Sequence, residues 1–199
     1  MVTPPRWFTE TDDNHSDWYV GKFRELASQG ADLAGEARFV DTMVTRNSRI
    51  LDAGCGPGRT GAALFACGHE VVGVDADPVL IAAAIEDHAG PTWLVQDLAE
   101  LSLTSIGETE LFDAAVLAGN VMAFVAIGSE IQVLSNVRAV LKPDGFAVVG
   151  FHTDRYEIPL FDSHISAAGF ILESRFATWD LRPWNSESDF TVTVLRNPV

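Results

Sequence analysis

The stretch that decides the fold is RILDAGCGPGRTGAAL, which runs from Arg49 to Leu64. Its last three glycines form G-x-G-x-x-G, a pattern typical of dinucleotide-binding proteins. Counted instead from the acidic residue Asp52, the same letters form D-x-G-x-G-x-G. The two patterns predict different ligands. The first predicts a molecule with a pyrophosphate, and the second predicts a molecule with a cationic group near Asp52.

The dinucleotide interpretation requires the first strand to run straight into Gly56. The apolar letters end at Leu51, however, and Asp52 would then place an anion beside two phosphates, which is electrostatically unfavourable. In the alternative, Asp52 closes the strand, Gly54 and Gly56 make the turn, and a helix starts near Gly58. Glycines let the backbone approach a ligand closely, and a carboxylate at that point suits a cationic group.

The chain after residue 47 alternates strands, turns and helices. Strands are predicted at Arg49–Ala53, Glu70–Asp75, Thr92–Val95, Phe112–Leu117 and 145–151, with helices at Arg59–Ala66, Pro78–Asp87 and 129–141. The short apolar runs are typical of a parallel sheet covered on both faces. The last quarter instead alternates apolar and polar letters in two runs, as in an antiparallel hairpin. The sequence therefore predicts an α/β, doubly wound, Rossmann-like seven-stranded sheet, mostly parallel with a reversed C-terminal strand.

Two segments are predicted: residues 1–46 as an N-terminal helical cap segment, and residues 47–199 as the ligand-binding domain. Within the first, residues 1–14 read as poorly ordered, and helices are predicted from Ser16 onward and over 35–45. Asp77 followed by Pro78 predicts a helix N-cap.

Composition excludes several classes of function. A formal net charge of −15 over 199 residues opposes binding of nucleic acid. The two cysteines, Cys55 and Cys67, form neither a disulfide framework nor a metal-binding spacing, so no metal site is predicted. With no signal peptide and no membrane-spanning run visible, a cytoplasmic protein without membrane partners is expected. The oligomeric state is not determined by the sequence.

Several motifs in order resemble those of the class I S-adenosylmethionine-dependent methyltransferases. ILDAGCGPG is followed by HEVVGVDADP, WLVQDL and VLKPDGFAVVGF, and then by the terminal hairpin, so that the resemblance covers roughly residues 49–195. It implies S-adenosylmethionine as cofactor, S-adenosylhomocysteine as product, and a methyltransferase domain over 47–199. Asp75 alone does not separate this family from dinucleotide folds, which also place an acid about 20 residues after the glycine loop, whereas Asp52, Asp97 and the hairpin do.

Carried over position by position, the resemblance implies three groups of cofactor residues. The methionine end is held by Asp52, Gly54 and Gly56, the adenosine by Asp75, Ala76, Asp97 and Leu98, and the sulfonium faces Ala118, Gly119 and Asn120.

Two features outside these motifs carry open alternatives. The N-terminal aromatics Trp7, Phe8, Trp18, Tyr19 and Phe23 are either packing residues or a lid over the cofactor, with Tyr19 and Arg24 reaching its carboxylate. His152, just after the fifth strand, is either a surface residue or a general base for a hydroxyl or amine acceptor.

The expected activity is methyl transfer to an oxygen or nitrogen nucleophile of a small molecule, by direct displacement. Links after the fourth and fifth strands look too short to hold a large substrate. The alternatives are an S-adenosylmethionine-binding protein without catalytic activity and, less favoured, a nicotinamide-dependent oxidoreductase.

Overall fold

A computed structural model describes residues 3–199 of the chain, so Met1 and Val2 of the predicted N-terminal segment lie outside the described residues. Its centre is one seven-stranded sheet, whose strands match the predicted positions closely. They are β1 (Arg49–Ala53), β2 (Glu70–Asp75), β3 (Thr92–Val95), β4 (Phe112–Leu117), β5 (Leu141–His152), β6 (Ile171–Phe176) and β7 (Phe190–Arg196).

The strand order is β3-β2-β1-β4-β5-β7-β6, in which β1 to β5 are parallel and β7 runs antiparallel to both of its neighbours. This confirms the predicted mixed sheet with a reversed C-terminal strand. The chain winds outward from β1 in one direction and from β4 in the other. Parallel sheets of this kind bind ligands in the crevice at the carboxyl ends of the strands, where the strand order reverses.

Helices cover both faces of the sheet. They are α1 (Arg6–Thr9), α2 (His15–Ser28), α3 (Gly35–Met43), α4 (Arg59–Ala66), α5 (Pro78–Asp87), α6 (Val121–Phe124), α7 (Glu130–Ala139) and α8 (Ile158–Ala167), with a 3₁₀ turn at Leu98–Glu100.

Alternate residues of the central strands divide the core into two layers. Ile50 of β1 packs with Val40 of α3 and Leu64 of α4, whereas its neighbour Leu51 belongs to the cluster that contains Val133 of α7 and Phe161 of α8. All six side chains are completely buried. This explains why β1 reads as a continuous apolar run rather than an alternating one.

The described N-terminal residues are held by tertiary contacts, in contrast to the prediction that residues 1–14 are poorly ordered. Arg6 donates from Nε to the Val125 carbonyl (3.0 Å), and Trp7 donates from Nε1 to Asp77 Oδ2 (2.7 Å). These tertiary contacts fix the short helix α1, which local sequence does not favour.

The start of β5 also differs from the prediction. The strand begins at Leu141, which pairs with Phe112, and the next regular pair is Ala114 with Phe146. The predicted turn residues bulge out between these two pairs, with Asp144 in the left-handed region (φ 62°).

Asp77 is the predicted N-cap of α5, and it does more than cap. Its Oδ1 accepts the Val79 N–H (2.8 Å), while Oδ2 accepts from Trp7 Nε1 and from the Ser16 hydroxyl. The side chain is 3% exposed. One carboxylate therefore fastens α1 and α2 to the turn after β2.

We expect Asp77→Ala to lower the free energy of unfolding by about 2 kcal/mol, because it removes a helix cap and two tertiary hydrogen bonds. Chemical denaturation measures this loss. Asp77→Asn, which keeps an acceptor oxygen for the Val79 N–H, should lose less. An alanine variant as stable as the unmodified protein would contradict this role of Asp77.

Candidate active site

A cleft opens at the carboxyl ends of β1 to β4 and is covered by the N-terminal helices α1 and α2. Ten of the twelve residues predicted to bind the cofactor line it: Tyr19, Asp52, Gly54, Gly56, Asp75, Ala76, Asp97, Leu98, Ala118 and Gly119. The sheet topology brings these residues together from five separate parts of the sequence.

Asp52 ends β1 beneath the glycine loop and is 1% exposed. Its Oδ2 accepts the Gly61 N–H of α4 (2.7 Å), and its Oδ1 has no hydrogen-bond partner within residues 3–199. Burial raises the pKa of Asp52 to about 7. The carboxylate thus orients the first turn of α4 and keeps one oxygen for a ligand.

Gly54 allows the loop after β1 to pass close to α6. Its φ is 78°, and a Cβ there would lie only 2.5 Å from Val121 Cγ2. Gly61, in contrast, faces the core, where a Cβ would lie 2.8 Å from Trp93 Cη2. This agrees with a packing role for Gly61 at the start of α4.

Asp75 ends β2 and joins two loops. Its Oδ2 accepts the Gly56 N–H and its Oδ1 the Asp77 N–H, both at 2.9 Å. Burial raises the pKa of Asp75 to about 6. Each carboxylate oxygen retains a lone pair, so the group is suited to accept the two hydroxyls of a ribose.

Part of the cleft lining is apolar. Ala76, Leu80 and Leu98 contribute to it, together with the carboxylate of Asp97. Asp97 Oδ1 accepts the Ala99 N–H (2.9 Å) and so caps the 3₁₀ turn. A flat heterocycle fits between such side chains, with an acceptor at its rim.

The donor set fits S-adenosylmethionine better than a dinucleotide. Three carboxylates line the cleft, from Asp52, Asp75 and Asp97. Such an arrangement attracts an ammonium and a sulfonium and repels a pyrophosphate. Within residues 3–199, no group of three or more His, Cys, Asp or Glu residues is placed to hold a metal ion.

The N-terminal aromatics divide between the two predicted roles. Trp7 and Tyr19 line the cleft, with their ring centroids 5.5 Å apart, and Trp7 also packs edge-on against Phe124 (5.4 Å). Phe8 and Trp18 are exposed instead. The cover over the cleft is therefore made by two aromatic side chains rather than five.

Tyr19 lies at the mouth between two glycine loops. Its Cε1 is 3.7 Å from where a Cβ on Gly56 would be, and its hydroxyl oxygen is equally far from that position on Gly119. Burial raises the pKa of Tyr19 above its ordinary value, so its hydroxyl remains protonated at neutral pH.

Arg24 does not lie where the sequence predicted. Its guanidinium forms ion pairs with Asp87 (2.8 Å) and Glu86 (2.8 Å) of α5, and it does not line the cleft. The cause is geometric: Arg24 lies on the side of α2 that faces two acidic residues at the end of α5. The predicted contact with the cofactor carboxylate is therefore corrected.

Arg59 is the cleft cation that the sequence analysis missed. It follows Gly58 directly, at the first position of α4, and it carries the one positive charge among the described cleft-lining residues. Arg59 could have been identified from the segment GPGRTG of the opening stretch. Its glycines favoured a prediction that rested on backbone N–H donors alone.

Asn120 and His152 are also placed differently from the predictions. Asn120 does not line the cleft; its Oδ1 accepts the His152 backbone N–H (2.7 Å), and its own N–H donates to the Gly150 carbonyl (3.2 Å). The His152 ring is exposed and lies against Phe190, outside the cleft lining. These bonds connect the loop after β4 to the end of β5, and His152, outside the cleft lining, is not placed to act as the predicted general base.

Comparison with known proteins agrees with the fold. A family model described as a methyltransferase domain matches residues 50–145. A TehB-like SAM-dependent methyltransferase from Corynebacterium glutamicum is 40% identical, with a TM-score of 0.86, and the alignment covers 92% of this chain and 98% of that one. The comparison with curated protein sequences gives no significant match.

More distant structures share the fold alone. The CcbJ methyltransferase from Streptomyces caelestis is 19% identical, with a TM-score of 0.71 over 81% of this chain and 93% of that one. A 1,6-didemethyltoxoflavin-N1-methyltransferase from Burkholderia thailandensis is 19% identical, with a TM-score of 0.63 over 95% and 92%.

The fold and the cleft define a Rossmann-like enzyme that uses S-adenosylmethionine. With the close relative from Corynebacterium, they show that the chain belongs to the class I S-adenosylmethionine-dependent methyltransferases.

We expect the affinity for S-adenosylhomocysteine to rise about tenfold from pH 5.5 to pH 7.5, because the raised pKa of Asp52 keeps it protonated and neutral at the lower pH. Calorimetric titration at a series of pH values measures this. Asp52→Asn should bind more weakly and with a flatter profile. An unchanged pH profile in that variant would rule out Asp52 as the titrating group.

We expect Gly54→Ala to weaken binding of S-adenosylhomocysteine at least tenfold, since the added methyl group would displace Val121 and the loop. Gly30→Ala is the matched control: its φ is 74°, but a Cβ there meets nothing within 4 Å. Both variants should lose about 1 kcal/mol of stability from the backbone strain. Equal affinities in the two variants would show that the close approach to Val121 is unimportant for binding.

Proposed function

We propose that this methyltransferase transfers the methyl group to an oxygen or nitrogen nucleophile of a small molecule. The observation that carries the proposal is the cover over the cleft. Trp7 and Tyr19 close its mouth, and Arg6 donates to the carbonyls of Met122 (3.4 Å) and Val125 (3.0 Å) on its far side. A cleft closed in this way by single side chains suits a compact acceptor better than a polymer.

The charge of the protein supports the same choice. The chain carries a net charge of −15, and most arginines are held in ion pairs with acidic side chains. Few cations are left to meet phosphates, so nucleic acid is excluded from the proposal. Among the structural relatives, the Burkholderia enzyme was solved with bound 1,6-didemethyltoxoflavin, a small molecule, and with S-adenosylhomocysteine.

The cofactor residues are assigned from their places in the cleft. Asp52 accepts from the ammonium, the Gly54 and Gly56 backbone cradles the methionine chain, and Asp75 accepts from the ribose. Ala76 and Leu98 enclose the adenine, with Asp97 at its amino group. Ala118 and Gly119 pass beneath the sulfonium. Asn120 is assigned to hold this last loop rather than to touch the cofactor.

The proposed reaction requires the protein mainly to position the reacting groups. When bound, S-adenosylmethionine supplies a methyl group on a positively charged sulfur, a good leaving group. The residues of this chain hold the reacting centres in line and exclude water, which in favourable cases contributes about 7–11 kcal/mol to lowering a barrier. The cleft lining contains no histidine, so an acceptor that binds deprotonated, or as a neutral amine, fits the site best.

We also propose that residues 1–46 act as the cover of the methyltransferase domain formed by 47–199. The support lies in where the segment is attached: Arg6 to α6, Trp7 to Asp77, and Arg24 to α5. Its third helix, α3, differs in character, because Ala37, Phe39 and Val40 are buried in the core beside the sheet. The cover proper is thus α1 and α2.

A cytoplasmic location is proposed from the cysteines, which are both free thiols, one buried and one exposed. Within residues 3–199, the helices are too short or too polar to cross a bilayer.

The test is to incubate the protein with deuteromethyl-labelled S-adenosylmethionine and a cell extract that has been divided by ultrafiltration into small molecules and macromolecules. We expect the label in the small-molecule fraction, on oxygen or nitrogen, as located by mass spectrometry and NMR. Asp75→Ala is the inactive control, because it removes the ribose acceptor. Label found only in protein or nucleic acid, or on carbon or sulfur, would overturn the proposal.

A further inference from the structure

Arg59 is held in one orientation by residues of the N-terminal segment. Its Nη1 donates to the Leu33 carbonyl (3.0 Å) and to Glu36 Oε2 (2.8 Å), and its Nη2 donates to Glu36 Oε1. Both side chains of the pair are largely buried, at 18% and 14% exposure. The guanidinium also packs over the Phe23 ring, 5.2 Å from its centroid.

This arrangement leaves part of the guanidinium available. Of its five N–H groups, two on Nη1 and one on Nη2 are used, and Nε and the second Nη2 hydrogen have no partner within residues 3–199. Arg59 is one of the residues that line the cleft, and these are the donors that it has left for a ligand there.

The charged groups around Arg59 are suited to bind the ammonium and the carboxylate of an amino acid. A zwitterionic amino acid requires an anion for its ammonium and a cation for its carboxylate. Asp52 supplies the first, and Arg59 is close enough for its charge to lower the pKa of Asp52 against the effect of burial. Arg59 has the same lowering effect on the pKa of Tyr19, whose hydroxyl has no hydrogen-bond partner within residues 3–199.

We propose that Arg59, oriented by Glu36 and assisted by the Tyr19 hydroxyl, binds the methionine carboxylate of the cofactor and selects ligands that carry it. This inference depends on the cofactor and is independent of which molecule accepts the methyl group. Glu36 acts as a positioning residue, because within residues 3–199 its carboxylate accepts hydrogen bonds only from Arg59 and fixes the fork of its donors.

The residues that form this contact come from different parts of the chain. Arg59 comes from α4, whereas Tyr19 and Phe23 come from α2, and Leu33 and Glu36 flank the start of α3. The carboxylate site therefore exists only when the N-terminal segment is docked. A ligand with the amino-acid tail stabilises the docked cover, and adenosine alone does not.

The test compares S-adenosylmethionine with decarboxylated S-adenosylmethionine, which differs only by loss of the carboxylate. Displacement titrations against bound S-adenosylhomocysteine give both affinities up to millimolar dissociation constants. We expect the unmodified protein to prefer the carboxylated ligand by about tenfold or more, as for a charge-assisted bidentate contact. In the double variant Arg59→Gln/Glu36→Gln, which leaves no unpaired buried charge, the preference should fall to about twofold or less.

Arg38→Gln is the matched control, because it removes an arginine of α3 that forms an exposed ion pair with Asp32 away from the cleft. It should keep the full preference. Arg59→Lys, which keeps the charge without the fork, should give an intermediate value and serves if the double variant does not fold. Thermal melts of each variant report folding separately.

Two results would overturn the proposal. One is equal affinity of the unmodified protein for the two ligands. The other is a preference in the Arg59 variants as large as in the unmodified protein, even if both ligands bind more weakly, since that would indicate a structural role only. Neither titration uses a methyl acceptor, so failure here is distinguishable from failure of the small-molecule assignment.

Discussion

The Asp75 carboxylate joins the parts on which the site depends. It accepts one backbone N–H from the loop after β1 and another from the turn after β2. Asp77 then continues the connection to the cover, through Trp7 and Ser16. A single run of hydrogen bonds thus extends from the glycine loop to the N-terminal helices. The positions of the glycine loop and of the cover are therefore physically linked.

The cost of this arrangement is seen in the raised pKa values of Asp52 and Asp75. Both carboxyls hold their protons to higher pH in the folded protein than in the unfolded chain. Their contribution to the free energy of unfolding without ligand therefore falls as the pH rises from about 4 to about 7. A cation bound beside Asp52 would offset the desolvation of the ionised carboxylate, so the cofactor contact proposed for Asp52 would restore the stability that burial removes. Such conflict between stability and charge is typical of functional sites.

The sequence predicts the strands and the cofactor loops well, because each depends on a few neighbouring residues. Asp52 and Asp75 follow apolar runs directly and Asp97 follows one after a single residue, and parallel strands bring such positions to one edge. The errors concern Arg24, Asn120 and His152, whose contacts are with distant parts of the chain. Spacing along α2 does not show that Arg24 meets the acidic end of α5. Helix α1, likewise, is formed by contacts more than 60 residues away in sequence.

The corrected position of Asn120 bears on why the cleft has no conspicuous catalytic side chain. Gly119 and Asn120 both have positive φ values, 74° and 67°, and the Asn120 amide oxygen and backbone N–H bind the end of β5 from two sides. The loop after β4, which lines the cleft at Ala118 and Gly119, is thereby fixed by backbone geometry. In an in-line displacement, the alignment of donor and acceptor atoms determines most of the rate that a protein can supply. In the methyl transfer proposed above, a rigid loop at this position contributes through alignment rather than through a proton-transferring side chain.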